Sequence, residues 1–227
     1  MPLSSQLPFD FALYNKFTFE NFFIANKNQE LLINIQLTGS SENFYFIWGV
    51  KGSGKSHLLQ ASCAQQINSA YLPLKIFLEE GESVMESLDQ LDWLCIDDVH
   101  LVLTKSAWEE RLFSLFNACQ ESSTRLIISS VLAPLKLEYA LPDLKSRFSS
   151  GVTYQLYELE EQEKILALKK RAELAGIPLQ EEVLNYIYIR SERSMSKLFA
   201  VLEQLDKLSM AEKRKITIPF VKLIMEY

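Results

Sequence analysis

The sequence is poor in the residues that build metal centres and disulfide frameworks. It has only two histidines, His57 and His100, and three unevenly spaced cysteines in apolar surroundings, Cys63, Cys95 and Cys119. These cysteines form no metal-ligand pair. We interpret them as buried free thiols of a protein of the reducing cytoplasm.

Long apolar runs and an excess of positive charge are also missing. No run approaches the roughly 20 apolar residues of a membrane span, and the first residues lack the charged-then-apolar pattern of a signal peptide. The formal net charge is −6. Because the phosphate backbone of DNA attracts basic surfaces, this charge disfavours non-specific DNA binding by the whole chain. We therefore expect no membrane contact, and a protein partner in preference to DNA.

The run from Gly49 to Ser56 matches G-x-x-x-x-G-K-[ST], the loop that surrounds the phosphates of a nucleotide. Its glycines, Gly49, Gly52 and Gly54, leave backbone N–H groups free to point at anionic oxygens. Lys55 is expected to reach the β- and γ-phosphates, and the Ser56 hydroxyl to bind Mg²⁺. An apolar strand before the loop and a helix after it supply the context that the motif requires. The alternative is a glycine loop that matches by chance.

Acidic and polar residues follow two later apolar runs. Asp97 ends one run and is expected to hold Mg²⁺, while Asp98 is expected to orient the attacking water. Ser129 ends the next run, where its hydroxyl could reach the γ-phosphate. The alternatives are two acids that merely begin a loop and a strand that ends in a serine turn. Arg147, taken alone, is more often a surface residue or an ion-pair partner.

Strand and helix patterns alternate through the first two thirds of the chain, which predicts a parallel sheet with helices on both faces. Strands are expected near residues 43–48, 71–74, 93–97, 125–129 and 152–156. Helices are expected over 21–37, from 55, before 91 and over 107–120. Only helices follow, over residues 160–175, 180–190, 194–208 and 219–226. We predict an N-terminal arm (1–20), an α/β nucleotide-binding domain (21–158) and a small helical lid (159–227).

Taken together, these residues resemble AAA+ ATPases of the replication-initiator clade, and most of all the DnaA-related regulators called Hda. Residues 18–22, with Asn28, are similar to the box that embraces the base, and residues 48–59 and 95–98 to the phosphate loop and acidic motif. Residues 144–148 are similar to the arginine-finger box, and residues 216–221 to the last lid helix.

The resemblance implies ADP or ATP with Mg²⁺ as cofactors. It assigns nucleotide contacts to Phe22, Asn28, Ser53 and His57, and makes Arg147 the finger. Val131 stands where initiators carry an aspartate, and Ser196 where they carry a sensor arginine, with Arg193 and Lys197 as possible substitutes. Both departures imply weak intrinsic hydrolysis. The resemblance ends with the lid, so no dedicated DNA-binding domain is expected.

The arm resembles the short peptide that docks on the sliding clamp, the β subunit of DNA polymerase III. The residues expected to bind are Gln6, Leu7, Phe9 and Phe11. The alternative is that these aromatic residues pack on the domain. The family resemblance implies a negative regulator of replication initiation that stimulates ATP hydrolysis by DnaA, with a possible homodimer. The rivals are a self-sufficient ATPase, such as a helicase loader, and a non-catalytic adaptor.

Overall fold

The computed structural model describes residues 17–37 and 42–225, and these contain one five-stranded parallel sheet. Its spatial order is β2-β3-β4-β1-β5. The strands are β1 (Phe44–Trp48), β2 (Ser69–Pro73), β3 (Trp93–Asp97), β4 (Arg125–Ser130) and β5 (Val152–Gln155). The predicted strands and their parallel arrangement are confirmed, with limits that differ by one or two residues.

The sheet is buried on both faces, because alternate side chains of each strand enter different hydrophobic clusters. In β1, Phe44 and Phe46 enter one cluster, while Tyr45 and Ile47 enter the other. Strands β3 and β4 alternate in the same way. Continuous apolar runs such as Phe44–Trp48 are therefore the sequence signature of a strand covered by helices on each side.

The described residues contain nine α-helices; eight lie in segments predicted to be helical, and the helix over residues 142–150 was not predicted. The helices are α1 (Gln29–Gln36), α2 (Lys55–Ala64), α3 (Leu74–Phe77), α4 (Ser106–Ser122), α5 (Pro142–Ser150), α6 (Glu161–Leu174), α7 (Glu181–Arg190), α8 (Met195–Glu212) and α9 (Ile218–Met225). Helices α1 and α2 pack on one sheet face, and α4 and α5 on the other. The lid helices surround a third cluster of their own.

Two helix predictions were wrong. Residues 21–25 are not helical; α1 begins at Gln29 after a single 3₁₀ turn, and Thr18 and Asn21 instead bond each other's backbone N–H groups in a turn. The segment before Leu91 holds only the one-turn α3 and two 3₁₀ turns. Gly81 and Ser87 have φ of 86° and 60° there, and such left-handed residues interrupt a helix.

The predicted division of the chain falls between β5, which ends at Gln155, and α6, which begins at Glu161. The limits at 20/21 and 158/159 stay predictions. The clamp-binding residues Gln6, Leu7, Phe9 and Phe11 lie outside the described residues. Within the described ranges, no helix is long and apolar enough to cross a membrane. The three cysteines are buried and free, as expected.

A phosphate-loop site at the carboxyl ends of the strands

Three parallel strands deliver the predicted phosphate-binding residues to one edge of the sheet. The loop 49–54 follows β1, Asp97 ends β3, and Ser129 lies near the end of β4. Strands β3 and β1 both pair with β4, so these ends are neighbours. A crevice outside the carboxyl ends of parallel strands is the usual place for a ligand.

The loop needs glycine for two different reasons. Gly52 and Gly54 have φ of 88° and 103°, a region that side chains rarely adopt. Gly49 is required by crowding, since a Cβ there would lie 2.3 Å from the Leu156 carbonyl oxygen. That carbonyl belongs to the connection from β5 to the lid, so the missing side chain lets the loop and the connection approach closely.

Lys55 is almost fully buried at the start of α2. Its ammonium group donates to the carbonyls of Gly49 and Val50, at 2.7 and 3.1 Å. Burial lowers the pKa of Lys55, while Asp98 and Asp97 act in the opposite direction. A cation enclosed by its own loop is suited to an anionic ligand, whose oxygens can replace the carbonyls.

Ser53 and Ser56 offer hydroxyl groups on either side of Lys55. The Ser53 hydroxyl is buried and has no hydrogen-bond partner among the described residues. Ser56 is exposed in the first turn of α2. An orphaned buried hydroxyl is rare in proteins, and a phosphate oxygen bound in this loop would satisfy it. The donors present therefore fit a nucleotide.

The acidic residues form a hydrogen-bonded network with Tyr71 and Ser129. One carboxylate oxygen of Asp97 accepts from the Tyr71 hydroxyl at 2.7 Å, and the other accepts from the Ser129 hydroxyl. The Ser129 oxygen in turn accepts from the backbone N–H of Asp98 at 2.9 Å. Ser129 thus bonds the carboxylate of Asp97 and the backbone of Asp98. The assignments of Ser129 to the γ-phosphate and of Asp97 to Mg²⁺ stay predictions.

The donor set suits magnesium that arrives with a nucleotide. Carboxylate and hydroxyl oxygens are the ligands that Mg²⁺ prefers, and phosphates and water usually supply the rest. Asp97 and Ser56 provide one of each. The described residues contain no group of three His, Cys, Asp or Glu side chains able to hold a metal by themselves. When bound, the metal would neutralise charge on the phosphates.

Asp98 differs from Asp97 in conformation and surroundings. Its backbone is left-handed, with φ of 59°, and its carboxylate lies 3.9 Å from His100. Burial, with the charge of Asp97, raises the pKa of Asp98. A carboxylate with a raised pKa accepts a proton more readily. The role of Asp98 beside an attacking water stays a prediction.

A cleft runs from the phosphate loop to the lid. Its lining includes Phe22, Gly54 and His57 from the α/β side, and Met195 and Phe199 from α8. The His57 ring packs edge-on against Phe22 at 4.9 Å between centroids, and its Nε2 lies 3.0 Å from the Thr18 carbonyl oxygen. Because burial lowers the pKa of His57 to about 4, the ring is neutral at pH 7 and donates its Nε2 proton to Thr18.

Asn28 lines the same cleft, but both ends of its amide bond to protein. Its nitrogen donates to the Tyr157 carbonyl, and its oxygen accepts from the Tyr157 N–H, each at 2.9 Å. Asn28, the residue before α1, is therefore hydrogen-bonded to the connection between the sheet and the lid. Direct contact with a base stays a prediction.

Arg193 and Lys197, the possible substitutes for the sensor arginine, contact other side chains of the lid. The Arg193 guanidinium lies 5.6 Å from the centre of the Tyr188 ring, and the Lys197 ammonium lies 3.9 Å from Glu192. The described residues of α8 that line the cleft are Met195 and Phe199. Sequence reasoning missed these two, although their spacing of four residues marks one face of a helix.

Arg147 lies apart from this cleft. It is exposed in the last turn of α5, with its guanidinium 5.8 Å from the centre of the Phe113 ring of α4. It lines a surface groove with the α4 residues Asn117, Gln120 and Glu121. The described residues show no ion pair of Arg147, so the ion-pair alternative has no support there.

The comparisons with known proteins agree with this geometry. Residues 13–155 match the family of the bacterial DnaA ATPase domain, and residues 161–225 match the Hda lid domain. The chain belongs to the DnaA-related AAA+ proteins. A relative from Haemophilus influenzae (strain Rd), described as an uncharacterized protein, is 37% identical over 98% of this chain and 99% of its own.

Solved structures show that this DnaA-related chain has the fold expected from its sequence. Domain III of the Thermotoga maritima initiator DnaA superposes with a TM-score of 0.77 at 25% identity, covering 92% of this chain and 95% of the other. AMPPCP-bound DnaA from Aquifex aeolicus gives 0.69 at 24% identity, over 87% and 69%. The prediction of an AAA+ core followed by a helical lid is confirmed.

Proposed function

We propose that this protein is a negative regulator of DNA replication initiation that stimulates hydrolysis of ATP bound to DnaA. Its own site would hold ADP or ATP with Mg²⁺ between the phosphate loop and the lid. The AMPPCP bound to Aquifex aeolicus DnaA supports an adenine nucleotide. The DnaA-related core and the Hda-type lid support a regulator of initiation.

The observation that carries the proposal is the position of Arg147. A finger that served its own nucleotide would line its own cleft, but Arg147 lines an exposed groove between α4 and α5. Within the described residues, no hydrogen bond or ion pair uses the Arg147 guanidinium, which lies beside the Phe113 ring, so its N–H donors are available to a partner. We infer that these donors stabilise charge on the phosphoryl group of the partner's ATP as water displaces ADP.

Arg147→Ala should therefore reduce stimulation of DnaA-bound ATP hydrolysis by at least about 100-fold, since fingers contribute about 10³–10⁵-fold. Arg147→Lys should also fail, because lysine lacks the planar fork. Single-turnover hydrolysis by ATP-loaded DnaA, with a DNA-loaded clamp, measures the effect, and melting curves establish folding. Arg190→Ala is the matched control, because Arg190 is an exposed arginine at 5.7 Å from the Tyr186 ring. Normal stimulation by a folded Arg147→Ala protein would contradict the proposal.

A self-sufficient ATPase is the second candidate, favoured by the complete set of Lys55, Asp97, Asp98 and Ser129 at one edge. Turnover without DnaA separates the two. We expect a rate below about 1 s⁻¹, the low end for phosphoryl-transfer enzymes. A faster rate favours the ATPase, and no stimulation by the wild-type protein favours the adaptor.

A further inference from the structure

Glu109 is a fully buried carboxylate that the site described above does not use. It lies in the first turn of α4 and is 0% exposed. Its carboxylate accepts three backbone hydrogen bonds, from Thr104 at 2.6 Å, Ala140 at 3.0 Å and Leu141 at 2.6 Å. An ionised carboxylate in the interior is costly unless it is paired or well hydrogen-bonded. These three bonds supply that compensation.

The three bonds join two segments with different places in the fold. Thr104 has φ of 68° and ends the loop that begins at the acidic residues Asp97 and Asp98. Ala140 and Leu141 immediately precede Pro142, the first residue of α5. Glu109 is therefore bonded both to the loop leaving the phosphate site and to the start of the helix that bears Arg147.

The segment before α5 is fixed from its other side as well. Tyr139 packs edge-on against Phe148 of α5, at 6.2 Å between ring centroids, and donates its hydroxyl to the Pro134 carbonyl. Burial, and to a lesser extent the charge of Glu109, raise the pKa of Tyr139. Residues 139–141 are thus held between the carboxylate and the aromatic core beneath α5.

Glu109 shares one face of α4 with the ring that Arg147 contacts. Phe113 follows Glu109 by four residues, and side chains at that spacing lie on the same side of a helix. Through Glu109 this face of α4 bonds the two residues that precede α5, and through Phe113 it contacts the last turn of α5. We propose that Glu109 is a positioning residue that fixes α5, and with it Arg147, relative to the acidic loop of the phosphate site. This inference rests on the proposed function of Arg147.

Glu109→Gln tests it, because glutamine keeps the volume but turns an N–H donor toward the N–H groups that need acceptors. We expect maximal stimulation of DnaA-bound ATP hydrolysis to fall at least about 10-fold, with the half-saturating concentration and the affinity for ADP unchanged. Backbone hydrogen exchange should accelerate at Thr104, Ala140 and Leu141. A merely structural role would lower the melting temperature. It would not lower the maximal rate while leaving the half-saturating concentration unchanged.

Thr124→Val is the matched control. Thr124 is buried, and its hydroxyl donates to backbone carbonyls at the opposite edge of the sheet, so its loss also removes buried hydrogen bonds. Both variants are assayed well below the lower of their melting temperatures. Stimulation should survive in Thr124→Val.

The outcomes separate this inference from the proposed function. Full maximal stimulation by Glu109→Gln, or an equal loss in Thr124→Val, would overturn the positioning role while Arg147→Ala remains inactive. Normal stimulation by Arg147→Ala would overturn the finger itself. Unchanged exchange at Ala140 and Leu141 in Glu109→Gln would also overturn the positioning role.

Discussion

Lys55 is the residue on which we predict nucleotide binding to depend most. Its ammonium already has two carbonyl partners in the loop, so it is held where phosphate oxygens would arrive. Nearby Gly49 keeps the loop close to the lid connection, which a methyl group would prevent.

Lys55→Ala should weaken ADP binding by about 10- to 100-fold, because a hydrogen bond to a charged group contributes about 1.5–3 kcal/mol. The rise in melting temperature on adding ADP should shrink with it, since a ligand that binds only the folded state stabilises it by mass action. Calorimetric titration measures the affinity. Lys51→Ala, at an exposed lysine of the same loop, is the control and should bind normally. Undiminished affinity in Lys55→Ala would exclude this loop as the phosphate site.

His57 should make the folded state sensitive to acid. Burial lowers its pKa from 6.5 to about 4, so the unfolded chain binds the proton first as the pH falls. The stabilisation is complete above pH 6.5 and is lost between pH 6.5 and about 4, by up to about 3 kcal/mol.

Denaturant unfolding of wild type and His57→Gln across that pH range tests this contribution. The wild type should lose more free energy of unfolding than the variant as the pH falls, because carboxyl groups titrate alike in both proteins. Parallel curves for the two proteins would show that His57 has an ordinary pKa.

At the scale of elements, the connection between β5 and α6 is where the sheet and the lid are joined. Asn28 bonds the backbone of Tyr157 in this connection, and Lys27 pairs with Glu160 at the start of α6 at 2.7 Å. Lys170 of α6 also donates to the Phe22 carbonyl, at 3.3 Å. The turn before α1 is thus bonded to both ends of the connection.

Asn28→Ala should lower the free energy of unfolding by about 1–3 kcal/mol, because it removes two part-buried hydrogen bonds to the backbone of Tyr157, each contributing about 0.5–1.5 kcal/mol. Urea unfolding followed by circular dichroism measures the loss. Asn26→Ala is the matched control, since the Asn26 side chain makes one exposed bond, to Gln29, within the described ranges. Equal stability of the two variants would show that the Asn28 bonds do not hold the connection.

The elements that sequence analysis predicted best are those with a local cause. Apolar runs such as Trp93–Ile96 gave the strands, and Glu160 with Glu163 forms a capping box that begins α6 within one residue of the predicted start. The failures at 21–25 and before Leu91 lie where short turns pack on the sheet. The conformation of these turns depends on neighbours that are distant in sequence, and the periodicity of apolar residues does not show such neighbours.

At the scale of the whole molecule, the nucleotide site and the surface of Arg147 lie on different parts of the α/β domain, and the arm precedes both in the chain. We predict that replacing Gln6, Leu7 and Phe9 by alanine abolishes binding to the sliding clamp and leaves ADP affinity unchanged. Clamp pull-down and calorimetry measure the two quantities. Ser4→Ala with Ser5→Ala is the control, and should bind the clamp. If the triple variant still binds, the arm serves another purpose.

The sequence by itself determined the phosphate loop, the acids after β3, the parallel sheet and the helical lid. Each depends on residues close together in the chain, so short patterns carry the information. Only the tertiary structure assigned Tyr71 to Asp97, Asn28 to Tyr157 and Glu109 to Leu141. Those partners are separated by 26, 129 and 32 residues. Hydrogen bonds of this kind follow from how the elements pack; the pairing of β2 with β3, for example, places Asp97 opposite Pro73, two residues after Tyr71.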